Sequence, residues 1–135
     1  MFSLQIVVLS LVGPALGYGK YRYSIPHGHD VLSPCRWGDK SWPGVGHTNQ
    51  AGGGDLNPFG QDFKAEGFKY TVSLCQKDSD GDGKTNGQEL GDSSCSWAKY
   101  KRLAILDKAT GHPGICEPLY SSACLGRSDW VKCSF

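Results

Sequence analysis

The run Asp78-Ser79-Asp80-Gly81-Asp82-Gly83-Lys84-Thr85-Asn86-Gly87-Gln88-Glu89 places aspartates at positions 1, 3 and 5, a glycine at 6 and a glutamate at 12. That is the D-x-[DN]-x-[DN]-G-x5-E pattern of a calcium loop, and the chemistry explains the spacing. Calcium is a hard cation that takes six to eight oxygens at about 2.3–2.6 Å. Asp78, Asp80 and Asp82 would supply carboxylates, and Gly83 would allow the sharp bend. Lys84 would offer only its backbone carbonyl, Asn86 would act through water, and Glu89 would close the shell with both oxygens. Four carboxylates within twelve residues would repel one another without a metal. Gly91 follows Glu89 by two residues, so the outgoing helix is about one turn at most. Position 8 is Thr85 rather than a bulky aliphatic, no second loop is present, and Met1 is the only methionine. A sensor that opens a Met-lined groove does not fit this pattern. A structural ion does, with an affinity of about 10⁻⁴ to 10⁻³ M as in extracellular modules.

Cys75 and Cys95 bracket the loop. An even set of six cysteines in a chain of 135 residues reads as three disulfides in an oxidising compartment, with 15 possible connectivities. The pairing expected is Cys75–Cys95, Cys35–Cys116 and Cys124–Cys133. The first would close a ring worth about 3 kcal/mol of chain entropy and hold the loop ends together before metal binds.

The compartment is set by residues 1–17. Phe2 to Val12 is an apolar run too short for a bilayer span, and Ala15-Leu16-Gly17 offers small residues for cleavage. This reads as a signal peptide, with a mature domain at 18–135 beginning at Tyr18. No later apolar stretch reaches membrane length, and no Asn-x-Ser/Thr acceptor is present. The length fits one domain. A formal charge of +1 excludes a nucleic-acid surface driven by bulk charge, and equally a mineral nucleator working by carboxylate density.

Outward from the loop, the elements are few. Tyr21 to Ile25 is β-prone and stops at Pro26, which predicts a short strand. Six glycines between 44 and 60 predict loops, with Trp37 and Trp42 packing inward as the nucleus of a small core. Phe68, Val72 and Cys75 have helical spacing within 61–77, and Thr71 could instead cap a shorter helix. Residues 96–108 are the best helix candidate after the loop, and Gly111 to Gly114 is a turn. The Cys-rich tail at 116–135 reads as stapled loop. The fold expected is a small α+β, loop-rich secreted domain with few short helices, three disulfides and an EF-hand-like calcium loop.

The sequence holds no Gly-x-Ser-x-Gly elbow and no His-Glu-x-x-His pair, and bridged cysteines leave no thiol nucleophile, so an enzyme is not expected. A remote alternative is a copper or zinc site built on His27, His29 and His47. Hydrogen bonding in turns is the expected role of His47 and His112. Tyr21, Arg22 and Tyr23 form a candidate partner contact, because Tyr and Arg are enriched at interface hot spots.

Several stretches together resemble a known family: Trp42-Pro-Gly-Val-Gly-His47, Gly52-Gly-Gly54, Asn57-Pro-Phe-Gly60, Asp62-Phe63, Leu74-Cys75, and Asp78 to Leu90 with Gly91-Asp92 and Cys95-Ser-Trp97. With Ile25-Pro26 and His112-Pro113-Gly114 as flanking landmarks, residues 23–116 resemble temptins. The resemblance implies a secreted protein that associates with other secreted proteins in a water-borne pheromone complex, with no nucleic-acid or membrane partner. It also implies an alternative, since temptin-like proteins occur in the organic matrix of calcified shells. The chain departs from the family pattern in its longer tail, with the extra pair Cys124 and Cys133, and at His27-Gly28-His29, where an Asn-Gly turn is expected.

Overall fold

The fold is known from a computed structural model that describes residues 21–35, 41–99, 106–131 and 133. The predicted signal segment and Trp37 lie outside these residues.

The first helix, α1 (Pro58–Ala65), starts where its sequence says it should. Asn57 caps it, accepting from the Gly60 N–H at 2.9 Å, and Pro58 occupies the first turn, where its missing N–H costs nothing. The same buried side chain reaches backwards, its Nδ2 donating to the carbonyls of Val45 (2.7 Å) and His47 (3.0 Å). One residue therefore caps a helix and ties the glycine-rich segment to it. The contact is close enough that a Cβ on Gly60 would lie 1.9 Å from the Gly46 carbonyl oxygen. No side chain larger than hydrogen fits there.

Residues 61–77 are helical in part, and the shorter helix capped by Thr71 is the one that forms. Gly67 and Phe68 both take positive φ, and the Phe68 N–H bonds the Phe63 carbonyl, which closes the C-terminus of α1. A new helix, α2 (Val72–Gln76), starts from Thr71, whose hydroxyl accepts from the Leu74 N–H at 3.0 Å. The third helix, α3 (Asn86–Glu89), is a single turn opened by a capping box between Thr85 and Gln88.

Three expectations change. Arg22–Ser24 is a 3-10 turn, not a strand, because Tyr21 before it packs inward, stacked on Phe68 (5.0 Å between centroids) and edge-on to Phe63 (5.7 Å). The β content among the described residues is two isolated bridges, Leu32 to Ser41 and His47 to Leu56, so the β half of the α+β expectation is not realised. The helix expected at 96–108 is absent at residues 96–99 and 106–108, while 100–105 lie outside the described residues. The N–H groups of Ser96 and Trp97 are held by the buried carboxylate of Asp92, which also accepts from the Tyr70 hydroxyl. Burial and then the charge of Asp92 raise the Tyr70 pKa, so the phenol keeps its proton.

The core has two parts. Ile25, Val31, Val45, Phe59, Phe63, Leu74 and Leu90 form one, with Tyr21 and Tyr70 packed against it. Trp42, Ile115 and Val131 form the other, with Leu119 and Trp130 at its edge. The Trp42 indole N–H donates to the carbonyls of Gly44 and His47, so its polar edge is satisfied inside.

Three disulfides close the fold: Cys75–Cys95, Cys35–Cys133 and Cys116–Cys124. The last two replace the expected Cys35–Cys116 and Cys124–Cys133, and packing explains why. The tail turns back at Ser121–Cys124, and the Ser128 hydroxyl bonds the Cys116 carbonyl, so Cys124 returns to Cys116. Trp130 and Val131 then pack with Trp42, which brings Cys133 to Cys35 in the same cluster.

Candidate metal centre

The acidic loop is built by its own side chains. Asp78 accepts from the N–H of Gly81 (3.0 Å) and of Gly83 (2.9 Å), Asp80 from Asp82 (3.2 Å), and Asp82 from Lys84 (3.0 Å). Gly83 sits at φ 92, the bend required at the sixth position. The ends close where the Asn86 N–H meets the Lys77 carbonyl at 2.7 Å, and α2 packs against α3 with the Cys75–Cys95 bridge alongside. The turn places oxygens of Asp78, Asp80 and Asp82 within 4.8 Å of one another. The hydrogen bonds leave acceptor capacity on each, since a carboxylate offers about four lone-pair sites.

Glu89 is outside that 4.8 Å set but belongs to the same neighbourhood. It is 1% exposed, and its Oε2 has no hydrogen-bond partner, nor does Asp80 Oδ2. Burial, then the nearby Asp80 and Asp82 carboxylates, push the metal-free Glu89 up to about 11. Burial, then Asp82, push Asp80 up to about 9. Two buried carboxyls with orphaned oxygens are the arrangement that a divalent cation would relieve, since it would satisfy the oxygens and reverse the local repulsion. The donor set, all oxygen, suits a hard cation.

Asn86 has a divided role. Its Nδ2 donates to the Leu74 carbonyl and the Ser79 hydroxyl, both at 2.8 Å, which ties the loop to α2, while its buried Oδ1 has no partner. Lys84 is exposed at the rim, its carbonyl being the group its loop position offers.

Glu117 was not visible from the sequence. It sits 28 residues beyond Glu89, yet its N–H donates to Asp82 Oδ2 (3.4 Å) and its Oε1 accepts from the His112 N–H (2.7 Å). Gly111 lies between the two glutamates: a Cβ there would be 3.1 Å from Glu89 Oε1 and 3.5 Å from Glu117 Oε1. Burial raises the Glu117 pKa as well. Arg127 completes the tail's grip on the loop, donating to the Gly81 carbonyl at 2.9 Å. A cleft of about 560 Å³ lined by Asp82, Lys84, Glu89, Gly111 and Glu117 leads to this side of the loop. No local spacing signals these tail contacts.

The histidines are not brought together. His27 Nε2 is 2.7 Å from the Asp107 carbonyl, His29 lies edge-on to Tyr23, and His47 Nδ1 is 3.3 Å from the Gly54 carbonyl. His112 is fully buried, edge-on to Trp42 at 5.3 Å, with Nδ1 accepting from the Gly114 N–H. Burial pushes it down to about 3, so the ring is neutral. In the expected contact segment, Tyr21 is spent on core packing while Tyr23 is 65% exposed.

Comparison with known proteins decides the family. The family model described as Temptin C-terminal matches residues 15–115. The chain belongs to the temptin family. Temptin of Aplysia californica is 44% identical over 116 residues, 86% of this chain and 91% of that protein. No solved structure matches. The match to the family model ends just before Cys116, so Glu117, Arg127 and the tail staple lie beyond that model. All six cysteines are bridged, the bonding of an oxidising compartment, and no described helix is long and apolar enough to cross a membrane.

Proposed function

We propose that this temptin-family chain is a secreted, non-enzymatic calcium-binding protein that acts by associating with other secreted proteins in a water-borne attractant complex. The observation that carries the calcium reading is the pair of buried, unpartnered carboxylate oxygens on Asp80 and Glu89 beside the aspartate triad. Asp78, Asp80, Asp82, the Lys84 carbonyl and Glu89 would hold the ion, with Asn86 acting through water. The ion would fix the loop in one geometry and keep the buried acids ionised. Family membership and the bonded cysteines support secretion after cleavage of the leader.

Calorimetric titration of the chelator-stripped protein tests the metal: one calcium per chain is expected, near 10⁻⁴ to 10⁻³ M, and a flat titration refutes it. Gel filtration of fresh secretion tests the association. Elution well above 14.6 kDa, the mass of the whole sequence with its leader, is expected, and elution as a monomer refutes it.

A further inference from the structure

A second concavity lies away from the loop, between the 3-10 turn at Arg22–Ser24, the glycine-rich segment and α1. Its volume is about 150 Å³, the size that in an engineered apolar cavity admits benzene. Ile25, Val45, Leu56, Phe59, Phe63 and Phe68 supply its apolar walls. Tyr21 also lines it, stacked on Phe68 at 5.0 Å.

Two features set this cavity apart from a packing fault. The first is charge. Arg22 lines it, no Asp or Glu does, and among the described residues Arg22 forms no ion pair. Arg22, a lining residue that pairs with no carboxylate among the described residues, carries the fork that matches a planar anion. The second is backbone conformation. Phe68 is a non-glycine residue at φ 60 and is 40% exposed, so the chain places a large aromatic at the wall at a conformational cost.

We propose that this cavity binds a small one-ring carboxylate, the ring seated between Val45, Phe59 and Phe63 and the carboxylate held by Arg22. The test titrates the full secreted chain with phenylacetate and its uncharged isostere 2-phenylethanol, following the methyl resonances of Val45 and Leu56 by NMR. Phenylacetate should give saturable shifts with a Kd below about 1 mM, and the alcohol should bind at least about tenfold more weakly, the loss of one charge-assisted contact. Arg22→Gln should reduce phenylacetate to the affinity of the alcohol and leave the alcohol unchanged. Ala51→Trp, which fills the cavity from an exposed lining position, should abolish both. The comparison of acid and alcohol is made on the unaltered chain and does not depend on either variant folding. Equal affinities for the two, or no saturable shift with either, overturn the proposal.

Discussion

Glu89→Gln separates a metal ligand from a core residue, because the two roles leave opposite signatures. In the metal-free protein the Glu89 carboxyl is 1% exposed, and burial holds its pKa at about 11, so at neutral pH it is a protonated group of nearly the same shape as Gln. The substitution should therefore leave the melting temperature in EDTA unchanged or slightly raised. With calcium, Gln cannot supply a charged two-oxygen ligand, and affinity should fall at least about 100-fold, or about 2.7 kcal/mol. At free calcium of about 100 times the wild-type Kd, the ion stabilises the wild type by about 2.7 kcal/mol, but a 100-fold weaker variant by only about 0.4 kcal/mol. The difference, about 2.3 kcal/mol, corresponds to roughly 10 °C in a domain of this size. Differential scanning calorimetry of both proteins, in EDTA and in calcium, reads all four values. An equal calcium-induced shift in the two proteins would refute the ligand role, and so would a loss of stability in EDTA matching the loss in calcium.

The pH dependence has two parts of opposite sign. His112 takes its proton near 6.5 when unfolded but only near 3 when folded, so its contribution is complete above 6.5 and is lost, at about 1.4 kcal/mol per pH unit, as pH falls toward 3. NMR of the His112 ring should show it neutral at pH 5 in the folded protein, and a midpoint near 6.5 would contradict this. In EDTA, Asp80 and Glu89 act the other way: stability is greatest below their ordinary range, about 4, and falls as pH rises through about 9 and 11. Saturating calcium should remove that decline in thermal melts; a decline that persists undiminished would show that these carboxyls do not meet the ion. Asn57→Ala removes a helix cap and the donors to two carbonyls, which should cost about 3 kcal/mol by urea denaturation; a cost below 1 kcal/mol would mean the tie is dispensable. Non-reducing peptide mapping should recover Cys35 linked to Cys133 and Cys116 linked to Cys124, and a Cys35–Cys116 peptide would contradict this fold.

What could be read from the sequence was local. The register of Asp78, Asp80, Asp82 and Gly83 is carried by neighbours a few residues apart, and the turns that those side chains make are short-range hydrogen bonds. Thr71 was legible as a cap for the same reason, although the break before it, with Phe68 left-handed, depends on Tyr21 packing from a distant segment. What could not be read was set by distant contacts. Cys35 had five possible partners, and the choice of Cys133 comes from Trp130 and Val131 meeting Trp42. Glu117 reaches Asp82 only because the tail folds back, and no spacing in the chain records it. Tyr21 sits in an alternating aromatic pattern, yet its burial between Phe63 and Phe68 overrides that propensity and gives a 3-10 turn.

The Cys35–Cys133 bridge spans 98 residues and encloses both other bridges. A protease cutting once anywhere between these two cysteines, for instance after Lys99, Lys101 or Arg102, opens the backbone but releases nothing. Both pieces stay joined through the outer bridge, and a cut outside residues 75–95 leaves the acidic loop its own Cys75–Cys95 ring. Fragmentation requires a second cut, so for a molecule released among external proteases the first nick is survivable.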